Sequence, residues 1–558
     1  MCGILAIFCK NTEAYNEKKF SSSLAKIKDR GPDHTNTIKI NDNIIFGHNR
    51  LKIIDNSEKS NQPFQAYGCT LVFNGCIYNY KEIKKLLKDK YEFKTNGDTE
   101  VLLFALIEWG ELALEKIEGM YAFIFFDGKK SIIAVDDFNE KPLYYYKDNE
   151  KIIIASEIKS IKEYVPNNLN LDLSQDILKE FLYLGFLKDD KTIYKSIKKV
   201  LSSEIYYIEN NNIFSNKKTD NTTSLTNIKI DDVHNELINS IKLRLISDQP
   251  IGLLLSSGID SILLLTILIK ELKTDIKTYS FYEDQDKENQ SYVHKITNYL
   301  GVNSNIISGL SYDYDASSFR EAFDDLNDCE TYFPYHTMLK FISANSDIKV
   351  ILSGTGADEL FYGYNKYKYA YDKSIFYKFL KTFVKIPKIK PLSKMANFIG
   401  NNNQKFLKLK NNKPFFFDDE LDKLFTLNND KCLYSVMRDF DLKNTLPYSL
   451  IPALERASMR NSLENRSPYL SKKLLELTNS LSPDNFFLKE QKNIQRNILN
   501  RYIPEKLIPQ KKEGFFSTKK INLNKEDTLK YLKNVNYDYN DLNKRDIQRV
   551  AIINEFFN

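Results

Sequence analysis

Near residue 230 the hydrophobic rhythm of the chain changes, and that change dictates two different kinds of layer. Up to about residue 165 the apolar residues come in short runs broken by turn residues: "CGILAIF", "NIIFGH", "LKIID", "CTLVF", "MYAFIFFD", "SIIAV", "PLYYY" and "KIIIAS". Runs of this length, rich in Ile, Val, Phe and Tyr, predict buried strands. Two stretches between them, "YNYKEIKKLLKDK" and "DTEVLLFALIEWG", repeat apolar residues at helical spacing. The first half is therefore expected to be an α+β domain of antiparallel sheets with helices. After a polar Asn/Thr-rich stretch at 215–230 the pattern becomes strand–helix alternation. "PIGLLLS" leads into "DSILLLTILIKEL", then "IKTYSFY", "QSYVHKITNYLG" and later "IKVILSG". This βαβ series predicts an α/β domain with a parallel sheet and sites at the C-terminal ends of its strands. The Lys- and Phe-rich stretch 365–440 reads as helical.

Composition bounds the rest. With 558 residues the chain can bury two full cores. Its 80 basic and 74 acidic residues leave a net charge of +6, with no electrostatic footprint for nucleic acid or an acidic membrane. The six cysteines show no C-x-x-C pair and the five histidines no H-x-x-x-H, so neither a disulfide framework nor a structural zinc site is expected. The longest strongly apolar run, "ILLLTILI", is too short to span a bilayer. Residues 1–20 lack a basic and then apolar leader pattern, so no secretory signal is expected. A cytoplasmic location is the expectation.

Cys2 on its own carries no information. If Met1 is removed, however, Cys2 presents a thiol beside a free α-amine of pKa about 7.7–8.0, a nucleophile with its own base. The "NGCIYN" stretch at 74–79 adds a second thiol, Cys76, whose type fits a nucleophile, a metal ligand or a small apolar filler. Read together, "RGPD" (30–33), "GHNRLKIID" (47–55), "NGCIYN", "NGDTEV" (96–101), "EGMYAFIFFD" (118–127) and "ASEIK" (155–159) resemble the class II glutamine amidotransferase domain, of N-terminal-nucleophile type. The resemblance implies that Cys2 attacks the glutamine carboxamide and releases ammonia. It also implies that Arg50 pairs with the substrate α-carboxylate and Asp98 with its α-ammonium. Asn74 and the Gly75 N–H would form the oxyanion hole, where one donor is worth about 2.7–4 kcal/mol.

In the second half, "LLLSSGIDS" (253–261) follows a strand and opens a helix, which places backbone N–H groups where phosphates bind. It lacks the Gly-Lys-Ser/Thr of a Walker A loop. It resembles instead the pyrophosphate loop of ATP pyrophosphatases, with Ser257 in place of a glycine. "ILSGTGADELFYGY" (351–364) resembles the second loop of the asparagine synthetase family, and with it the chain is similar to asparagine synthetase B over nearly its whole length. That implies a glutaminase domain over 2–210 and an ATP-pyrophosphatase-type synthetase domain over 228–558. It further implies nucleotide contacts at Leu255, Ser256, Gly258, Asp260, Ser261, Phe281, Ser353 and Gly354, and Mg²⁺ held by Asp260 and Asp358. "QKKEGFF" (510–516) matches a Lys-x-Gly-Phe pattern that points to Lys512 as the lysine neutralising pyrophosphate, and "ERASMRNSLENRSPYL" (455–470) resembles a helical segment on the acceptor side. Family members often form homodimers, which makes self-association an expectation.

Beyond Ser257, two positions and one segment depart from the family pattern. Cys76 stands where a glutamate is usual, Thr355 replaces an acidic residue, and "AVDDFNEKPLYY" (134–145) lacks two arginines and a glycine. These changes leave the ATP site intact, while the glutamine and acceptor pockets are altered. The expected reaction is glutamine-dependent amidation of aspartate with MgATP. Two alternatives are another carboxylate, such as a sugar acid, and a binding protein that has lost the synthetase reaction.

Overall fold

The short apolar runs of the first half become strands buried on both faces, except "LKIID" (51–55), which is a loop after the strand Ile44–Arg50. The computed structural model describes residues 2–11, 15–165, 169–218, 226–282, 284–309, 315–372, 432–487, 490–509 and 544–556. One antiparallel sheet orders the strands Ile197–Lys199, Tyr144–Lys147, Lys151–Ala155, Gly3–Cys9, Ile44–Arg50 and His34–Asn41. A second, also antiparallel, orders Asn212–Lys217, Glu204–Glu209, Ser131–Val135, Gly119–Phe126, Cys69–Ile77 and Phe64–Ala66. Along Gly3–Cys9, Ile4, Ala6 and Phe8 face the second sheet, and Leu5, Ile7 and Cys9 face Phe20, Leu24, Ile158 and Ile161 of two helices. Along Cys69–Ile77, Val72 faces the first sheet, while Leu71 and Phe73 pack on the helix Asp98–Trp109. The two-residue alternation thus feeds two cores at once, giving helix–sheet–sheet–helix layers and explaining why the runs look continuously apolar.

The second half is built on a parallel sheet in the order Ser304–Ile307, Lys277–Phe281, Ile251–Leu254, Val350–Leu352 and Glu464–Arg466. Two central strands end in loops that start helices: Ile251–Leu254 runs into Ile259–Lys270, and Val350–Leu352 into the single turn Ala357–Leu360. The stretch 455–470, expected to be helical, is only partly so. The helix Ile451–Met459 stops, Ser462 turns at φ 52°, and Glu464–Arg466 joins the sheet beside Val350–Leu352. Of the stretch 365–440, residues 365–372 and Leu433–Phe440 are helical, the latter continuing into the π-helix Asp441–Leu450 and then Ile451–Met459; residues 373–431 lie outside the described ones.

The two halves are not strung apart. A single hydrophobic cluster joins Leu5, Ile7 and Ile153 of the first to Tyr279, Phe333 and Leu454 of the second.

Candidate active site

Cys2 immediately precedes Gly3–Cys9, one of the two central strands of the first sheet, and is buried. Its backbone is gripped on both sides. The N–H donates to Asn74 Oδ1 at 2.8 Å, and the carbonyl accepts from Arg30 Nε at 3.1 Å. Burial pushes the Cys2 thiol up, against the pull of the Leu51 N–H and the Arg50 charge.

Asn74 sits in the strand Cys69–Ile77 and is fully buried, yet its Nδ2 has no hydrogen-bond partner among the described residues. An unsatisfied buried donor beside a thiol is costly and therefore informative. Gly75 follows at φ 156°, and a Cβ there would lie 2.1 Å from the Met120 carbonyl, so only glycine fits.

Around this pair stand the other residues that the sequence singled out. Asp98 opens the helix Asp98–Trp109 and accepts from the Ile77 N–H at 2.9 Å; burial raises it to about 6. Arg50 ends its strand and directs its Nη atoms at Ser57 O and Asn61 Oδ1, both at 2.8 Å, and at the carbonyls of Ile54 and Asp55. Those four bonds hold the 54–61 loop in this structure. Cys76 is 1 % exposed and packs with Tyr78 and Met120; burial pushes its thiol far up, with smaller opposed effects of the Arg466 and Asp98 charges. It behaves here as a small apolar filler.

The synthetase half contains a cavity of about 470 Å³ at the C-terminal ends of two central strands. Leu255, Ser256, Gly258, Asp260, Ser261, Ser353, Gly354 and Asp358 all line it. Phe281 does not; it lies in the core, and its strand neighbour Tyr279 reaches the cavity instead. The first loop is tied by Ser261 Oγ, which accepts from the Ser256 N–H at 3.1 Å, and by Ser256 Oγ, which accepts from the Gly258 N–H at 3.2 Å. Lys512 lies outside the described residues.

Sequence reasoning missed Lys492. Its Nζ bridges Asp260 and Asp358, 2.8 Å from the latter, at the cavity wall. Burial works against its charge, and the two carboxylates more than restore it. Nothing local marks this lysine, which is 232 residues from Asp260 and caps a helix at φ 60°. Two carboxylates converging on one cation is also a donor set that suits Mg²⁺ brought in on phosphates. Among the described residues no three His, Cys, Asp or Glu side chains converge as a metal site of their own. Glu359, buried at the cavity, accepts from the Tyr364 hydroxyl at 2.6 Å; burial and Asp358 raise it to about 7.

Behind Cys2 a buried quartet of charges joins the two halves. Arg30 Nη1 meets Glu157 Oε1 at 2.8 Å and its Nη2 meets Glu455 Oε1, while Arg456 Nη1 meets Glu157 Oε2 at 2.8 Å. In the altered 134–145 segment, Asp136 accepts from the N–H groups of Tyr121, Glu140 and Lys141. Asn139 takes φ 57° where the family has glycine, a conformation that Asn tolerates better than most residues.

No described helix is long and apolar enough to cross a membrane. Residues 1–218 match the glutamine amidotransferase domain model and residues 232–558 the asparagine synthase model. An asparagine synthetase [glutamine-hydrolyzing] 1 from Bacillus subtilis is 28% identical, over 92% of this chain and 87% of that one. A putative asparagine synthetase [glutamine-hydrolyzing] 2 from Methanocaldococcus jannaschii is 29% identical, over 82% and 98%. A Penicillium rubens chain titled amidase chyE is 25% identical, over 66% and 60%.

Proposed function

The chain belongs to the asparagine synthase family and is a glutamine-using, ATP-dependent amidoligase; on that premise we propose that it converts aspartate to asparagine, with Cys2 as the glutamine nucleophile. The observation that carries the glutaminase assignment is the split role of Asn74: its Oδ1 is held by the Cys2 N–H, leaving a buried Nδ2 donor for an oxyanion. The Cys2 thiol attacks the carboxamide carbon, its proton passing by way of the freed α-amine to the departing ammonia. Water then releases glutamate from the thioester. Asp98 receives the substrate α-ammonium. Arg50 receives the α-carboxylate, which must share or displace the carbonyls that this guanidinium now holds.

In the second site the Ser256–Ser261 loop cradles the ATP phosphates, and Lys492 joins Lys512 in neutralising pyrophosphate. Asp260 and Asp358 would hold Mg²⁺, which supplies charge neutralisation on the phosphates when bound. The acceptor carboxylate attacks the α-phosphorus, pyrophosphate leaves, and ammonia displaces AMP from the acyl-adenylate. Glu359, poised near neutrality and not paired with Lys492, takes the proton that the adding ammonia sheds. Ammonia reaches the second site through the interior, past apolar residues such as Met120, because in water it would largely protonate.

One observation favours amidation of a different carboxylate. Thr355 replaces an acid, and no arginine is among the described residues lining the cavity to meet an aspartate α-carboxylate. Pyrophosphate release with MgATP and glutamine over a panel of acceptor acids decides between them. Aspartate-dependent release with asparagine formed is the expected result; release only with a sugar acid would replace it. No release with any acceptor would return the binding-protein reading.

A further inference from the structure

The nucleophile of one half is held by a side chain that the other half controls. Arg30 is 1 % exposed, and three of its nitrogens are committed: Nε to the Cys2 carbonyl, Nη1 to Glu157 and Nη2 to Glu455. Glu157 belongs to the glutaminase half, just before the helix Ile158–Tyr164. Glu455 comes from 425 residues beyond Arg30, on the synthetase helix Ile451–Met459. All four charges of the Arg30–Glu157–Arg456–Glu455 quartet are buried, so each is held by its partners rather than by water.

That helix also touches the other reaction. It continues directly from the π-helix Asp441–Leu450, whose last residue, Leu450, lines the nucleotide cavity. The π-helix is rare, and its short bulges are frequent at functional sites. Glu455 itself is not part of the cavity lining.

We propose that Glu455 is a positioning residue for the glutamine half-reaction: through Arg30 it fixes the backbone of Cys2, so the synthetase half completes the glutaminase centre. The proposal rests on Cys2 being the nucleophile. Removing the Glu455 charge frees one edge of the Arg30 guanidinium, which then follows Glu157 alone, and the Nε–carbonyl bond at Cys2 loosens. The Cys2 thiol then drifts from the Asn74 donor, a displacement that slows chemistry while leaving the groups that bind glutamine, Arg50 and Asp98, in place.

The test is glutamine hydrolysis and MgATP affinity measured on full-length Glu455→Gln and Glu455→Asp variants. For Glu455→Gln the expected result is a fall in kcat of about tenfold or more with KM for glutamine and MgATP affinity unchanged. Glu455→Asp, which keeps the charge, is expected to lose less. An unchanged kcat, a KM rise that accounts for the whole loss, equal losses in both variants, or a parallel loss of MgATP binding would each overturn the proposal. Cys2→Ala separates the two readings. If it still hydrolysed glutamine, the nucleophile assignment would fall, whereas a fully active Glu455→Gln would remove only the positioning role.

Discussion

At the glutaminase centre the amide of Asn74 is divided between structure and chemistry, with Oδ1 on the Cys2 N–H and Nδ2 buried and unspent. Asn74→Ala is therefore expected to lower the kcat of glutamine hydrolysis by about 10²–10³-fold, with a smaller change in KM. Cys76 raises the opposite question, a thiol beside Asp98 where the family has an acid. Cys76→Glu is expected to lower the glutamine KM by about tenfold or more, the worth of one charge-assisted bond; an unaltered KM would show that position 76 does not reach the substrate. Asp98 carries a pH signature. Its carboxyl is raised from 3.8 to about 6 by burial, so the folded state binds this proton more tightly than the unfolded chain. Its contribution to stability is full at low pH and is lost as pH rises from about 4 to about 6. Asp98→Asn should accordingly raise Tm at pH 7 and leave it unchanged at pH 3. The wild-type glutamine KM should climb as pH falls below about 6, and the variant should lack that climb.

Among the elements, the strand-to-helix loops were readable because their residues are contiguous: Ser256 to Ser261 and Ser353 to Asp358 each complete a turn that any parallel strand of this kind presents at its C-terminal end. Lys492 was not readable. It reaches Asp260 and Asp358 from a helix cap distant in sequence, and no spacing rule connects them. Lys492→Met is expected to cut pyrophosphate release at saturating MgATP by about 10²-fold or more while sparing glutamine hydrolysis. Equal release in the variant would leave the pyrophosphate to Lys512. The strand Glu464–Arg466 was hidden for a related reason. Its neighbours in sequence are helical, and only the unpaired side of Val350–Leu352 gives three residues a ladder to join.

For the molecule as a whole, two sites in separate layers must work on one nitrogen atom. If the halves exchange only ammonia, Cys2→Ala should abolish glutamine-driven pyrophosphate release and retain release driven by ammonium salts. Loss of both would mean that the second site depends on the first for more than its nitrogen. What the sequence determined by itself is local: the period-two runs of an antiparallel sandwich, the βαβ alternation of a parallel sheet, and the short contiguous motifs that carry Cys2, Asn74, Gly75, Asp98, Asp260 and Asp358, of which Asn74 and Gly75 lie within a strand and not a turn. These are legible because each depends on residues a few positions apart, where backbone geometry sets the pattern. Tertiary structure alone decided that Arg30 meets Glu455, that Lys492 meets both aspartates, and that Cys76 is buried as packing. Those outcomes depend on which distant side chains share a dry interior, where a charge must find an opposite charge and a thiol need only fit.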